Sequence, residues 1–170
     1  MTVVLGLDPG TVTTGWGVVM RDGSRLRHVD NGLIVGRSGA PLEDRLARIF
    51  EGIEAVIATH KPIVVAVEAV FSHKNAQSAL VLGHARGVAL LAAARRGLPV
   101  ASYAPALVKK SVSGHGRAEK FQIQMMVKAM LGLPEPPAED AADALALCIC
   151  HCHHQNGVSL DDRALTRPRR

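Results

Sequence analysis

The chain has 170 residues, of which 48% are hydrophobic and 21% charged, a composition that supports one compact domain with a buried core and excludes two large ones. Twenty Lys and Arg against 15 Asp and Glu give a net charge of +5, which favours a polyanionic partner. Cys148, Cys150 and Cys152 are too crowded for a disulfide framework, and we see neither a signal peptide nor an apolar run of about 20 residues. We therefore predict a cytoplasmic protein without a membrane span.

Hydrophobic periodicity predicts the strands and helices in chain order. Residues 2–7 are β-branched and apolar, and Asp8-Pro9-Gly10-Thr11 follows as a turn. Apolar residues recur at helical spacing over residues 41–60, and the uncharged run 63–67 is typical of a central strand covered on both faces. The remaining predicted elements are strands over residues 13–20, 25–35 and 98–102 and helices over residues 78–96, 120–131 and 139–154.

A basic segment over residues 109–120 is predicted to be a mobile loop because it contains Gly114 and Gly116. The order of elements, a meander of strands followed by strands that alternate with helices, predicts an α/β fold with a five-stranded mixed sheet flanked by helices on both faces. We predict one domain over residues 1–155, followed by a flexible polar and basic tail over residues 156–170.

A carboxylate follows each of two apolar strands. Asp8 follows the first strand and Glu68 follows the run 63–67, so both reach an edge of the predicted sheet. Because no Lys or Arg lies close in sequence to either, a bound divalent cation would offset the cost of removing these charges from water. Each carboxylate could instead cap a turn or the following helix.

Two further acids lie on the last predicted helix. Asp140 and Asp143 are three residues apart, so they share one face, which Leu147 continues into the core. They repel each other unless an ion lies between them, although Asp140 could simply be a negative charge near the helix start. All four acids together can hold two Mg²⁺ or Mn²⁺ ions about 3.5–4 Å apart, an arrangement that hydrolyses phosphodiesters by in-line displacement.

With these residues placed, the chain from residue 2 to about residue 155 closely resembles the RuvC family of Holliday junction resolvases. The first matching motif, a strand followed by an Asp-x-Gly turn, occurs in several unrelated enzymes, whereas the whole set in this order is specific. The matching motifs are Gly6-Leu7-Asp8-Pro9-Gly10 with Thr14-Gly15, Val67-Glu68, Lys74-Asn75 with Ser78-Ala79-Leu80 and Gly87, Ala118-Glu119-Lys120, and Asp140-Ala141-Ala142-Asp143-Ala144-Leu145-Ala146.

The resemblance implies a ribonuclease H-like fold and a homodimer, with residues 78–96 as the dimer helix, although that helix could equally belong to the core. It also implies paired symmetric nicks in a four-way DNA junction that leave 5′-phosphate and 3′-hydroxyl ends, in recombination and DNA repair. A branch-migration helicase is an implied partner. The implied metal ligands and catalytic residues are Asp8, Glu68, Asp140 and Asp143.

The resemblance further implies a set of DNA-contacting residues. Phe71 matches an aromatic that stacks on a junction base, which its polar surroundings support, although it could be a satellite core residue. The basic residues could contact the DNA backbone or be solvated surface charges. These candidates are Lys74, Lys109, Lys110, Arg117 and Lys120. Departures from the family pattern occur at Val81, at His84 and in the loop 114–117. They bear on junction binding and on sequence preference, whereas the four acids do not depart from the pattern.

The cluster of Cys148, Cys150 and Cys152 with the neighbouring histidines resembles a zinc site in composition only. Residues two apart on a helix point about 200° around the axis, so the three cysteines cannot converge on one ion. We interpret them as small buried hydrophobic residues. His151 lies two turns after Asp143, where it could support the acids.

Three rival functions are weighed against the nuclease. A sugar-kinase-like ATPase shares the Asp-x-Gly-Thr turn but needs two related domains, which 170 residues cannot supply. A related single-domain nuclease that processes ribosomal RNA precursors is disfavoured by the Asp140 and Asp143 pattern and by the Phe71 turn. A non-catalytic junction-binding protein would not need four acids.

Overall fold

A computed structural model describes residues 1–69 and 76–154. Its five strands form one sheet in the order β3-β2-β1-β4-β5, in which β1 pairs antiparallel with β2 and parallel with β4. The predicted five-stranded mixed sheet is therefore confirmed. The elements are β1 (Thr2–Asp8), β2 (Thr13–Asp22), β3 (Arg25–Val35), α1 (Leu42–His60), β4 (Val64–Glu68), α2 (Ala76–Arg95), β5 (Val100–Tyr103), α3 (Pro105–Ser113), α4 (Lys120–Leu131) and α5 (Glu139–His154).

Helices cover both faces of the sheet, as predicted. Alternate residues of β1 point to opposite faces, so Val4 packs into a cluster with α3, α4 and α5 while Leu5 packs into a cluster with α1 and α2. Both side chains are fully buried. The uncharged sequences of β1 and β4 follow from this burial, because each central strand has a hydrophobic layer on either side.

Helix α5 lies directly on the backbone of β1 and β2. A side chain at Gly6 would overlap the carbonyl of Ala144, and one at Gly15 would overlap the carbonyl of Asp140. Glycine is therefore required by close approach at these two positions. This contact sets the height of α5 above the sheet and brings its first two turns to the end of β1.

The prediction of a loop over residues 109–120 is wrong for its first part. Residues Lys109 and Lys110 lie on α3, which ends at Ser113, and only residues 114–119 connect it to α4. Pro105 at the start of α3 supplies the backbone angle of a first helical turn, and Val108 and Val112 bury one face at a spacing of four. Because this helix has little more than two turns, its periodicity was too short to recognise beside the glycines.

Helix α2 presents an unusual amount of apolar surface. Leu80 and Leu91 are 58% and 54% exposed, whereas Ala85 and Ala89 on the opposite side are fully buried. Within the described part of the chain, residues 77–95 of this helix are long and apolar enough to cross a bilayer by length and composition alone, and 22% of that window is buried. The expectation that the chain has no membrane span stays a prediction. Exposed apolar surface on a helix also suits contact with a protein partner.

Candidate active site

Two neighbouring strand ends bring the first two acids together. Leu7 of β1 pairs in parallel with Val67 of β4, so Asp8 and Glu68 follow at the same edge of the sheet. Parallel neighbours end side by side, which is how acids 60 positions apart in the chain reach one site. The next strand extends this edge, because Glu68 also pairs with Tyr103 of β5.

Helix α5 brings the other two acids over this edge. Asp140 is in its first turn, with the backbone against Gly15, the residue paired with Asp8 across β1 and β2. Asp143 lies one turn further and faces the same cavity as Asp8 and Glu68. Asp140 does not line that cavity, although its charge acts on both Asp8 and Asp143.

One cavity of about 350 Å³ is lined by three of the acids and by two of the predicted cations. Asp8, Glu68 and Asp143 form its acidic part, while Lys109 of α3 and Lys120 of α4 lie around it. The apolar wall consists of Pro105, Val108, Ile123, Ala146 and Leu147. A concave site with an apolar wall and convergent charged groups is the usual form of an active site.

Asp8 and Asp143 hold protons more tightly than isolated carboxyls do. Burial, followed in decreasing order by the charges of Asp143, Glu68 and Asp140, raises the pKa of Asp8 from 3.8 to about 7. Burial likewise raises the pKa of Asp143, while Lys120 opposes that rise. Such crowding of buried acids is costly and is typical of functional sites.

Glu139 holds the amino group of Lys120 at the rim of the cavity through an ion pair. This hydrogen bond is the main reason why the pKa of Lys120 is raised. This partner of Lys120 was not predicted from the sequence. The signal that could have indicated this pair is the short proline-rich segment that joins α4 to α5. In the fold, this segment brings the start of α5 back beside Lys120 at the start of α4.

The donor set fits a hard divalent cation. Over residues 1–69 and 76–154, no three His, Cys, Asp or Glu side chains lie close enough to enclose one ion by themselves. Mg²⁺ seldom needs such a cage, because it keeps several waters and binds through one or two carboxylates together with substrate phosphates. Carboxylates around an open cavity, with the pKa of Asp8 raised by burial and then by its acidic neighbours, match that mode.

The remaining DNA-contact candidates fall into two groups. Lys110 and Arg117 are exposed, and neither lines the acidic cavity. Phe71, Lys74 and the tail over residues 156–170 lie outside the described residues. Only Lys109 and Lys120 are therefore brought to the acids by the part of the fold that the structure describes.

The three cysteines face different neighbours along α5. The thiol of Cys148 donates to the carbonyls of Val4 and Gly17, whereas that of Cys150 accepts from Ser111. All three are buried, and burial raises their pKa values. His151 contacts the hydroxyl of Tyr103 at 2.7 Å and is not a lining residue of the acidic cavity.

Comparison with known proteins gives one consistent family. The profile described as crossover junction endodeoxyribonuclease RuvC matches residues 4–151. The crossover junction endodeoxyribonuclease RuvC of Syntrophotalea carbinolica is 56% identical over 150 residues, covering 88% of this chain and 93% of the relative. The RuvC of Thermus thermophilus in complex with Holliday junction substrate superposes with a TM-score of 0.85 at 35% identity, covering 91% of this chain and 95% of that one. The yeast mitochondrial Holliday junction resolvase Ydc2, at 13% identity and a TM-score of 0.60 over 90% of this chain and 83% of that one, shares the fold. These likenesses confirm the ribonuclease H-like fold.

Proposed function

The chain belongs to the RuvC family of crossover junction endodeoxyribonucleases, and we propose that it resolves four-way DNA junctions by nicking two strands symmetrically at the acidic cavity. It is therefore a DNA endonuclease of recombination and repair. The observation that carries the proposed site is the convergence of Asp8, Glu68 and Asp143 with Lys109 and Lys120 on one cavity at a sheet edge. Cleavage leaves 5′-phosphate and 3′-hydroxyl ends in this proposal.

A divalent metal is the cofactor, and we assign two ions, Mg²⁺ or Mn²⁺, to the four acids Asp8, Glu68, Asp140 and Asp143. Bound ions of this kind activate water and stabilise the leaving oxygen of a phosphodiester. Asp8 and Glu68 hold their carboxylates on rigid strand ends, and Asp143 holds its own on a helix packed against the sheet backbone. This rigidity keeps the ligands in place before the DNA arrives.

The two lysines of the cavity bind and orient the scissile strand. Lys109 lies on α3 and Lys120 on α4, and both line the cavity, so a phosphate bound there has two cations within reach. Glu139 holds the ammonium of Lys120 at the rim, where it can neutralise charge that develops on the phosphate.

We extend the DNA contacts to Lys110 on α3 and to Arg117 in the connection between α3 and α4, both of which are exposed. Phe71 and Lys74, which follow Glu68 in the chain, complete the proposed interface. A basic surface next to an acidic catalytic cavity suits a phosphate backbone that must be held against repulsion from the carboxylates.

A homodimer is part of the proposal, because symmetric nicking needs two equivalent cavities. Leu80, Gly87 and Leu91 form an exposed stripe along α2, at spacings of seven and four residues. We assign this stripe to the contact between two copies. A Leu91→Glu variant is expected to have the mass of one chain by light scattering, whereas the parent protein has the mass of two. A branch-migration helicase is the further partner that we assign to the dimer.

Cleavage of a synthetic immobile four-way junction tests the proposal. The protein is incubated with the junction or with the linear duplex, in Mg²⁺ or Mn²⁺, beside an Asp8→Asn variant, and the products are resolved on a denaturing gel. Paired nicks confined to the junction and absent in the variant are the expected result. A protein that binds the junction but cuts it under neither metal would instead be a structural junction binder.

A further inference from the structure

Arg86 of α2 reaches the end of the strand that carries Glu68. Its Nε donates to the backbone carbonyl of Glu68 at 3.3 Å, and its Nη2 donates to Oγ of Ser102 at 3.0 Å. One guanidinium therefore joins the last residue of β4 to the neighbouring strand β5. We propose that Arg86 is a positioning residue that sets the direction of the Glu68 carboxylate, an inference that rests on the proposed role of Glu68 in holding a metal ion.

A contact at the end of β4 acts directly on the backbone of Glu68. Glu68 is the last residue of the strand, and the next amide, that of Ala69, donates to the carbonyl of Tyr103 at 2.8 Å. The peptide plane after Glu68 is therefore held from one side by β5 and from the other by Arg86. Holding this plane restricts rotation about the Cα–C bond of Glu68, so its Cα has less freedom to move and the side chain keeps its place in the lining of the cavity.

The guanidinium is itself held in place. Ala85 and Ala89, on either side of Arg86 along α2, are fully buried, and Ala89 packs in the cluster with Val65 and Val67 of β4, so the helix backbone at this point is held in place. Ser102 is 6% exposed, so its contact with Arg86 lies in an environment with little competing water. Hydrogen bonds from a charged donor are about twice as strong as neutral ones, and more so away from water.

Only an arginine spans both acceptors. Its planar fork can donate in two directions at once, whereas lysine has a single donor atom at the end of its chain. A role limited to packing α2 on the sheet would not require this geometry, since the neighbouring alanines already supply the packing. Arg86 is the lone cation in the middle of an apolar helix, and this is the signal by which the sequence could have indicated it.

The proposal is tested by the metal dependence of junction cleavage. Loss of a group that orients a metal ligand typically costs about 10–100-fold in metal affinity. We expect Arg86→Ala to raise the half-saturating Mg²⁺ concentration by about 10–100-fold, with junction binding in Ca²⁺ unchanged. Mn²⁺ binding to the DNA-free protein, followed by electron paramagnetic resonance, is expected to weaken in the same proportion.

Rescue and control variants separate positioning from simple loss of structure. Millimolar guanidinium ion is expected to lower the metal requirement of Arg86→Ala back toward that of the parent protein. Arg95→Ala, at the end of the same helix, where the side chain lies over the ring of Phe50, is expected to leave the metal requirement unchanged. The double variant Arg86→Ala with Ser102→Ala is expected to have the same metal requirement as Arg86→Ala alone, because both substitutions break the same connection.

If Arg86→Ala does not fold, Arg86→Lys and Ser102→Ala replace it, and each is expected to raise the metal requirement by a smaller factor. The proposal is overturned if the folded variants cleave with the metal dependence of the parent protein, or if their defect is the same at every metal concentration and does not respond to guanidinium. Failure of the proposed function is distinct, because then the parent protein itself would not cut the junction.

Discussion

Replacing Asp8 with asparagine is predicted to stabilise the metal-free protein. The folded protein raises the pKa of this carboxyl from 3.8 to about 7, chiefly through burial and then through Asp143 and Glu68. At 1.36 kcal/mol for each pKa unit, a shift of about 3 units means that the charge costs about 4 kcal/mol of folding free energy above pH 7. Asparagine removes the charge but brings an amide that needs its own partners, so we expect about half of this gain, about 2 kcal/mol.

The assay is thermal unfolding in EDTA. For a chain of this size, about 2 kcal/mol corresponds to a rise in Tm of about 4–8 °C. Because the folded-state pKa is raised, the cost of the charge is absent below pH 3.8, grows between pH 3.8 and about 7, and is constant above that. The difference between variant and parent should therefore be full at pH 8 and small near pH 4. Asp22→Asn, at an exposed acid, serves as the matched control.

Added Mg²⁺ gives the reasoning a second test. The parent protein should gain Tm with metal and the Asp8→Asn variant should gain less, because it has lost a carboxylate ligand. If Asp8→Asn unfolded below the parent protein in EDTA at pH 8, or if the difference persisted unchanged at pH 4, then the ionised Asp8 carboxylate would not carry the folding cost that its raised pKa implies.

Three further outcomes are expected from the same structure. Gly6→Ala should lower the free energy of unfolding by about 3 kcal/mol or more in urea titrations, because the new methyl overlaps the Ala144 carbonyl; an unchanged midpoint would contradict the close packing of α5. Lys109→Ala and Lys120→Ala should each reduce the slope of log K against log salt for junction binding by about 1, and a slope equal to that of the parent protein would remove that lysine from the interface. Cys148, Cys150 and Cys152 should resist iodoacetamide in the native protein and react on unfolding, since burial raises their pKa values; rapid native labelling would show that the α5 core opens.

The sequence determined the secondary structure closely where a pattern was long enough or bounded by strong signals. The uncharged runs of β1 and β4 and the periodicity of α1 place Asp8 and Glu68 at strand ends without any tertiary information, because period-2 and period-3.6 patterns are local properties. The short helix α3 lay below that limit, and Lys109 was assigned to a loop for this reason. The fold and the activity were predicted from the family motifs, because these motifs specify residue types in a fixed order along the chain.

Tertiary structure decided which of the predicted charges line one cavity and which partners they have there. Asp143 meets Asp8 because α5 rests on the backbone at Gly6 and Gly15, and Lys120 is held by Glu139 because α4 returns to the start of α5. The raised pKa of Asp8 and the reach of Arg86 to the Glu68 carbonyl arise in the same way. Each of these properties depends on burial and on distances between residues far apart in the chain. A sequence pattern shows only which nearby residues share one face of a helix or strand.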